Sequence, residues 1–148
     1  MLIFLIPEGF VAMAIVRQSK KRDVMLAFLR TTTRHPSADQ VYRRLKPEYP
    51  DLSLATVYRN LGQLCEQGLI KRVGTVDGQE RYDGEVRPHS HFICNRCGSI
   101  LDLPWVSPGE DWAGQLSVQY GFRAESLESI VRGLCKDCKD FNIGGKKS

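Results

Sequence analysis

The sequence predicts an α+β fold in two parts. A helical N-terminal part is closed by a β-hairpin, and a smaller C-terminal α/β part is stapled by zinc. Three observations point there. Apolar residues recur at helical spacing in three segments before residue 68. An Asp77-Gly78 pair then separates two extended runs, which is a hairpin signal. Beyond residue 93 four of the five cysteines fall as two C-x-x-C pairs.

The elements follow in order. Ser19 is placed to cap a helix running to about Arg30, with Val24, Ala27 and Phe28 as its apolar stripe. Residues 31–36 break it. Ser37 opens S-A-D-Q, a capping box with Gln40 at its third position, and Ala38, Val41, Tyr42 and Leu45 follow on one face. Two prolines make 46–51 a turn. Ser53 caps the next helix, from Leu54 to about Gln67, which Gly68 ends. Leu54, Val57, Leu61 and Leu64 form its buried stripe, while Thr56, Arg59 and Gln63 point away and Tyr58 lies on the flank. Residues 69–75 and 79–83 are the hairpin strands.

Three helices and a hairpin make a winged helix-turn-helix, with the third helix as the natural reader of the major groove. Candidate DNA contacts are Ser53, Ala55, Thr56, Tyr58, Arg59, Asn60 and Gln63. A solvated helix face would present the same residues.

Residues 84–88 read as a hinge. Short β-rich runs follow at 91–94 and 99–103. Ser107-Pro108-Gly109-Glu110 is a second capping signature, opening a helix that Gly121 stops after Tyr120. Residues 126–134 alternate as a third strand. The domains are therefore 1–13, an extension or over-called start; 14–83, the winged helix; 84–88, the hinge; and 89–148, a small unit. So small a unit needs a staple or a partner.

Charge supports the division. Of the 148 residues, 1–83 carry 13 Lys and Arg against 9 Asp and Glu, while 84–148 carry 8 of each. The basic half suits a nucleic-acid partner. Composition is that of a globular protein, with 42% hydrophobic and 26% charged residues, which excludes collagen, coiled coil and long disorder. The apolar start is interrupted by Pro7, Glu8 and Gly9, which fits neither a secretory signal nor a membrane span. A cytoplasmic, reducing setting is expected, where paired cysteines bind metal more often than they form disulfides.

Two metal constellations stand out. Cys94, Cys97, Cys135 and Cys138 offer four thiolates from two knuckles, which suits a closed, structural, tetrahedral zinc site. Buried or redox-active thiols are the competing reading. Cys65 stands alone and reads as a packed residue. The second set is looser: His35, Asp83, His89, His91 and Asp102. His89 and His91 share a side of an extended segment. Three imidazoles and two carboxylates suit iron(II), manganese(II) or zinc(II) without selecting among them.

In order, H-P-S-A-D-Q-V-Y-R-R-L, S-L-A-T-V-Y-R-N-L-G-Q-L-C-E-Q-G-L-I, R-Y-D, H-S-H-x-x-C-x-x-C-G and the last C-x-x-C resemble the ferric uptake regulator (Fur) family over about residues 17–139. The resemblance implies a homodimeric, metal-dependent repressor binding operator double-stranded DNA. It implies an N-terminal winged helix followed by a C-terminal α/β dimerisation domain, no membrane association and no catalytic residues. By position, Cys94, Cys97, Cys135 and Cys138 match the structural zinc ligands. His35, Asp83, His89, His91 and Asp102 match the regulatory iron or manganese site.

Asp102 stands where iron-uptake members usually carry Glu, so the chain looks most like the peroxide-sensing (PerR) branch. Pro88 and Ser90 interrupt the family's further histidine cluster, and no histidine follows His91, so that third site is expected to be missing. The basic, Gln-containing approach to the first helix is only loosely echoed by residues 17–22. In the peroxide-sensing branch the histidines matching His35 and His89 are oxidised. Iron, manganese and zinc uptake regulators of the same family remain open, and a non-haem metalloenzyme is the alternative of another class.

Overall fold

The computed structural model describes the backbone of residues 8–142 and the side chains of residues 20–140. The chain divides into two compact units, Met1–Val86 and Arg87–Ser148.

The first unit holds helices α1 (Glu8–Thr31), α2 (Ala38–Leu45) and α3 (Leu54–Glu66), then strands β1 (Lys71–Val76) and β2 (Gln79–Asp83). Helix α1 runs through Ser19 and does not begin there. Of the extension expected at 1–13, residues 1–7 lie outside the described residues and 8–13 are helical. The stripe α1 buries is Met25 and Leu29, one turn apart, and Ala27 is exposed. Val24 and Phe28 flank that stripe.

Helix α2 starts as the sequence predicts. The Ser37 side chain accepts from the Gln40 N–H, and the Gln40 side chain accepts from the Ser37 N–H at 2.9 Å. Helix α3 begins on Ser53, whose oxygen accepts from the Thr56 N–H, and stops as Gly68 turns left-handed at φ 69°. Val57, Leu61 and Leu64 of α3 meet Met25, Leu29, Val41, Leu45, Ile70 and Tyr82 in one core. The β1–β2 turn has both central residues, Asp77 and Gly78, at positive φ, which matches strand twist.

The second unit is a three-stranded sheet, β3 (Ser90–Cys94), β4 (Ile100–Leu103) and β5 (Ile130–Gly133), with helix α4 (Trp112–Tyr120) between β4 and β5. The order is β4-β3-β5, with β3 antiparallel to β4 and parallel to β5. Helix α4 does not begin on the Ser107–Glu110 signature. It begins after Asp111, which sits left-handed at φ 57° and makes no side-chain cap. The Ser107 hydroxyl instead accepts from the Gly109 N–H, a local turn that competes with helix initiation. Strand β5 covers only the end of the expected 126–134 run.

The two units differ in burial. Helix α4 buries no residue, and Val118 is 89% exposed. Beside it Tyr120 and Phe122 stack in the open with ring centroids 6.1 Å apart. Among the described residues no helix is long and apolar enough to cross a membrane.

The capping box gives a direct test. Ser37→Ala should cost about 1 kcal/mol of unfolding free energy and Ser37→Gly only a few tenths, read by urea denaturation. A Ser37→Ala variant as stable as the parent would show that the hydroxyl's bond to the Gln40 N–H is not what matters.

Candidate metal centres

The two C-x-x-C pairs are distant in sequence, and the topology explains how they meet. Strands β3 and β5 are parallel and pair Cys94 with Gly133 in register. Both strands therefore end at the same edge, and each runs directly into a cysteine knuckle. The Asn95 N–H donates to the Gly133 carbonyl at 2.8 Å, which ties the two knuckles together. In the first, the Gly98 N–H returns to the Cys94 carbonyl at 3.0 Å. In the second, the Cys138 N–H returns to the Cys135 carbonyl at 3.0 Å.

The four sulfurs lie within 4.8 Å of one another. Cys97 and Cys135 are 3.8 Å apart at Sγ. A tetrahedral zinc ion with bonds of about 2.3 Å sets its sulfurs about 3.8 Å apart, so the donor set fits zinc. The backbone is arranged for thiolates. Amide N–H groups of Cys97 and Cys135 pull the Cys94 thiol down to about 6, and the Ser99 hydroxyl lowers Cys97. Burial and the crowding of the other sulfurs push Cys138 up to about 12. A divalent cation reverses that last effect, because it stabilises every thiolate it touches.

The nitrogen and oxygen ligands form two sets, one in each unit. In the first unit His35 and Asp83 are both buried, with His35 Nε2 3.5 Å from Asp83 Oδ2. The backbone holds them together. His35 is left-handed at φ 49° just before Pro36, and the Tyr82 N–H donates to the Pro36 carbonyl at 3.1 Å. Ser37 also bridges to Arg81. Gly84 completes the arrangement, since a Cβ there would lie 2.5 Å from the Leu29 backbone. Only glycine lets the chain pass α1 straight after Asp83.

In the second unit His89 and His91 converge on one oxygen of Asp102, at 3.2 Å and 3.3 Å from their Nε2 atoms. His91 and Asp102 are register partners across β3 and β4. The His89 ring is fixed by Nδ1, which donates to the Arg87 carbonyl at 2.8 Å. A neutral His89 then turns the Nε2 lone pair toward a carboxylate oxygen. That contact is repulsive unless a proton or a cation stands between them. Neighbouring ligands about 2.1 Å from one ion are about 3.0–3.6 Å apart at angles of about 90–120°, so the separations in both sets fit a metal.

The candidate DNA contacts divide. Tyr58 and Arg59 are exposed on α3, as are Ser53 at its cap and Ala55. Thr56 is half-buried, its hydroxyl 2.8 Å from that of Ser53. Asn60 is a correction: it is 1% exposed and its amide donates to the Thr56 carbonyl at 3.0 Å, so it braces the helix and does not face outward. Its place one residue before Leu61 puts it on the core side of α3. The sequence reading also missed a partner of Gln63, whose Oε1 accepts from Arg22 of α1 at 2.6 Å. Periodicity carries no signal for a bond across 41 residues. Cys65 is half-buried against the core, and burial raises its thiol.

The model of the ferric uptake regulator family matches residues 14–130. The peroxide-responsive repressor PerR of Staphylococcus saprophyticus is 36% identical over 126 residues, covering 84% of each chain. The peroxide operon regulator of Bacillus subtilis is 36% identical over 124 residues, covering 83% of this chain and 84% of its own. Among solved structures, the Campylobacter jejuni peroxide stress regulator superposes with a TM-score of 0.75 at 29% identity, covering 90% of this chain and all of its own.

Two substitutions test these centres. Cys97→Ser should release the tightly held zinc to a mild chelator and unfold the second unit, read by metal analysis and circular dichroism. Retention of chelator-resistant zinc would exclude Cys97 as a ligand. Gly84→Ala should shift Asp83 and weaken manganese(II) binding at least tenfold by calorimetry, with the zinc content unchanged.

Proposed function

The chain belongs to the ferric uptake regulator family, and on that premise we propose that it is a metal-dependent repressor that binds operator DNA as a homodimer and leaves it on oxidation by hydrogen peroxide. The observation that carries this reading is the convergence of His89 and His91 on Asp102, with His35 and Asp83 as a second buried pair of like chemistry. Relatives at 36% identity bear the names of peroxide-responsive regulators.

In this reading one iron(II) or manganese(II) ion takes ligands from both sets: His35 and Asp83 from the winged-helix unit, and His89, His91 and Asp102 from the other. A shared ion then favours one relative orientation of the units. That differential free energy is what coupling metal to DNA requires. Iron(II), when bound, supplies the electrons that reduce peroxide beside the imidazoles, which manganese(II) and zinc(II) do not. His35 and His89 are the rings that take up oxygen. An oxidised ring binds metal less well, so the two units are no longer held in register.

The remaining parts have matching roles. The four cysteines hold structural zinc and keep the small sheet folded. Helix α3 presents Tyr58 and Arg59 to duplex DNA, base edges and phosphates alike. The apolar residues left open on and around α4 are covered by a second copy of the chain. Two copies set the spacing of two reading helices, which must match half-sites about 34 Å apart or a multiple of it. Uptake regulators of the same family share this architecture, and the signal distinguishes them.

The test is operator binding with iron(II), manganese(II) or zinc(II) before and after peroxide, with peptide mass spectrometry of each product. Binding should be lost only in the iron form, with one added oxygen on His35 or His89. His35→Ala should abolish metal-dependent binding while zinc content stays unchanged. Unmodified histidines in the iron form, with DNA released by chelation alone, would make the protein a metal-uptake regulator.

A further inference from the structure

The first unit contains a cleft of ≈ 540 Å³ bordered by Phe28, Thr32, Arg34, Gln40, Arg44 and Arg81. Its polar groups are one-sided. Gln40 Oε1 already accepts from the Ser37 N–H at 2.9 Å and from Arg81 at 2.7 Å, which occupies both lone pairs and leaves its NH₂ group to donate. The Thr32 hydroxyl accepts from the Arg34 N–H at 3.2 Å and keeps its own proton to give. Arg44 is paired with Glu48 at 2.8 Å and lies 5.9 Å over the Phe28 ring.

Arg34 and Arg81 differ from Arg44. Among the described residues neither has a carboxylate partner, and the side chain of Arg81 gives its bonds to two neutral oxygens, the Gln40 amide and the His35 carbonyl. The cleft thus offers two uncompensated guanidinium groups, an amide and a hydroxyl, all as donors. A concave surface rich in donors and poor in acceptors is complementary to a multiply charged oxyanion.

We propose that this cleft binds an oxyanion of the phosphate class through Arg34, Arg81, Gln40 and Thr32. The same chemistry has two sources, a free phosphate compound or the backbone of a bound duplex. Either occupant engages Arg81, which also holds the carbonyl of His35.

The test titrates full-length, zinc-loaded protein with inorganic phosphate at constant ionic strength and follows its amide and arginine resonances by NMR. It uses neither regulatory metal nor peroxide, so it stands or falls separately from the sensing reading. Saturable shifts should be confined to the cleft. Arg34→Gln removes an exposed side chain, leaves the fold intact and should weaken phosphate about tenfold. Arg44→Gln, whose guanidinium is already paired, should weaken it less.

Duplex DNA then separates the sources. If the occupant is the DNA backbone, phosphate competes with duplex, and Arg34→Gln weakens operator and unrelated duplex alike while lowering the salt slope by about one. If it is a free compound, phosphate still saturates and duplex affinity does not move. Shifts that never saturate, that chloride reproduces, or that persist unchanged in Arg34→Gln would overturn the proposal.

Discussion

Two parallel strands ending side by side bring four sulfurs into one small space, and thiolates so placed repel one another unless a cation lies among them. The rest of the second unit depends on that cation. Among the described residues its buried apolar residues are few: Ile93 and Ile100, with cysteines making up much of the remainder. Helix α4 adds nothing to the interior. A sheet of three short strands with so little covered surface has no other source of rigidity comparable to a metal–sulfur cluster. The same strand β3 that ends in Cys94 begins beside His89 and carries His91. Zinc at one end of β3 therefore steadies the imidazoles at the other, three and five residues from Cys94.

The first unit solves its positioning problem without metal. His35 and Asp83 come from segments far apart in sequence, and backbone bonds hold them adjacent: Tyr82 to Pro36, and Ser37 to Arg81. The capping box that starts α2 fixes the same stretch from its other side. Gly84 then allows the close pass against α1. The buried pair is a product of backbone geometry, and its ionisable side chains are held in place before any ligand arrives.

Much of this was legible in the sequence because it is local. The Ser37 box, the Ser53 cap, the Gly68 stop and the Asp77-Gly78 turn each depend on residues within five positions, and each is present. The cysteine pairs were legible as a donor set because thiolate chemistry allows few alternatives. What was not legible depends on distant contacts. Asn60 sits in an outward-looking motif, yet core packing turns it inward. The Ser107–Glu110 signature has the right letters but spends its hydroxyl on a tight turn. The buried face of α1 shifted by one residue from the stripe expected, because what packs against it comes from α3 and β2. That β5 lies parallel to β3 follows from the path of the chain and not from any short pattern.

The bond from Arg22 to Gln63 fixes the orientation of an amide on helix α3. An unheld glutamine amide can swap its ends and so match donor and acceptor patterns alike. Arg22, which can only donate, fixes which end is oxygen, since the reversed amide would set donor against donor. Gln63 becomes a probe of fixed polarity. The polarity that helix α3 shows at this position is therefore set by a residue of helix α1.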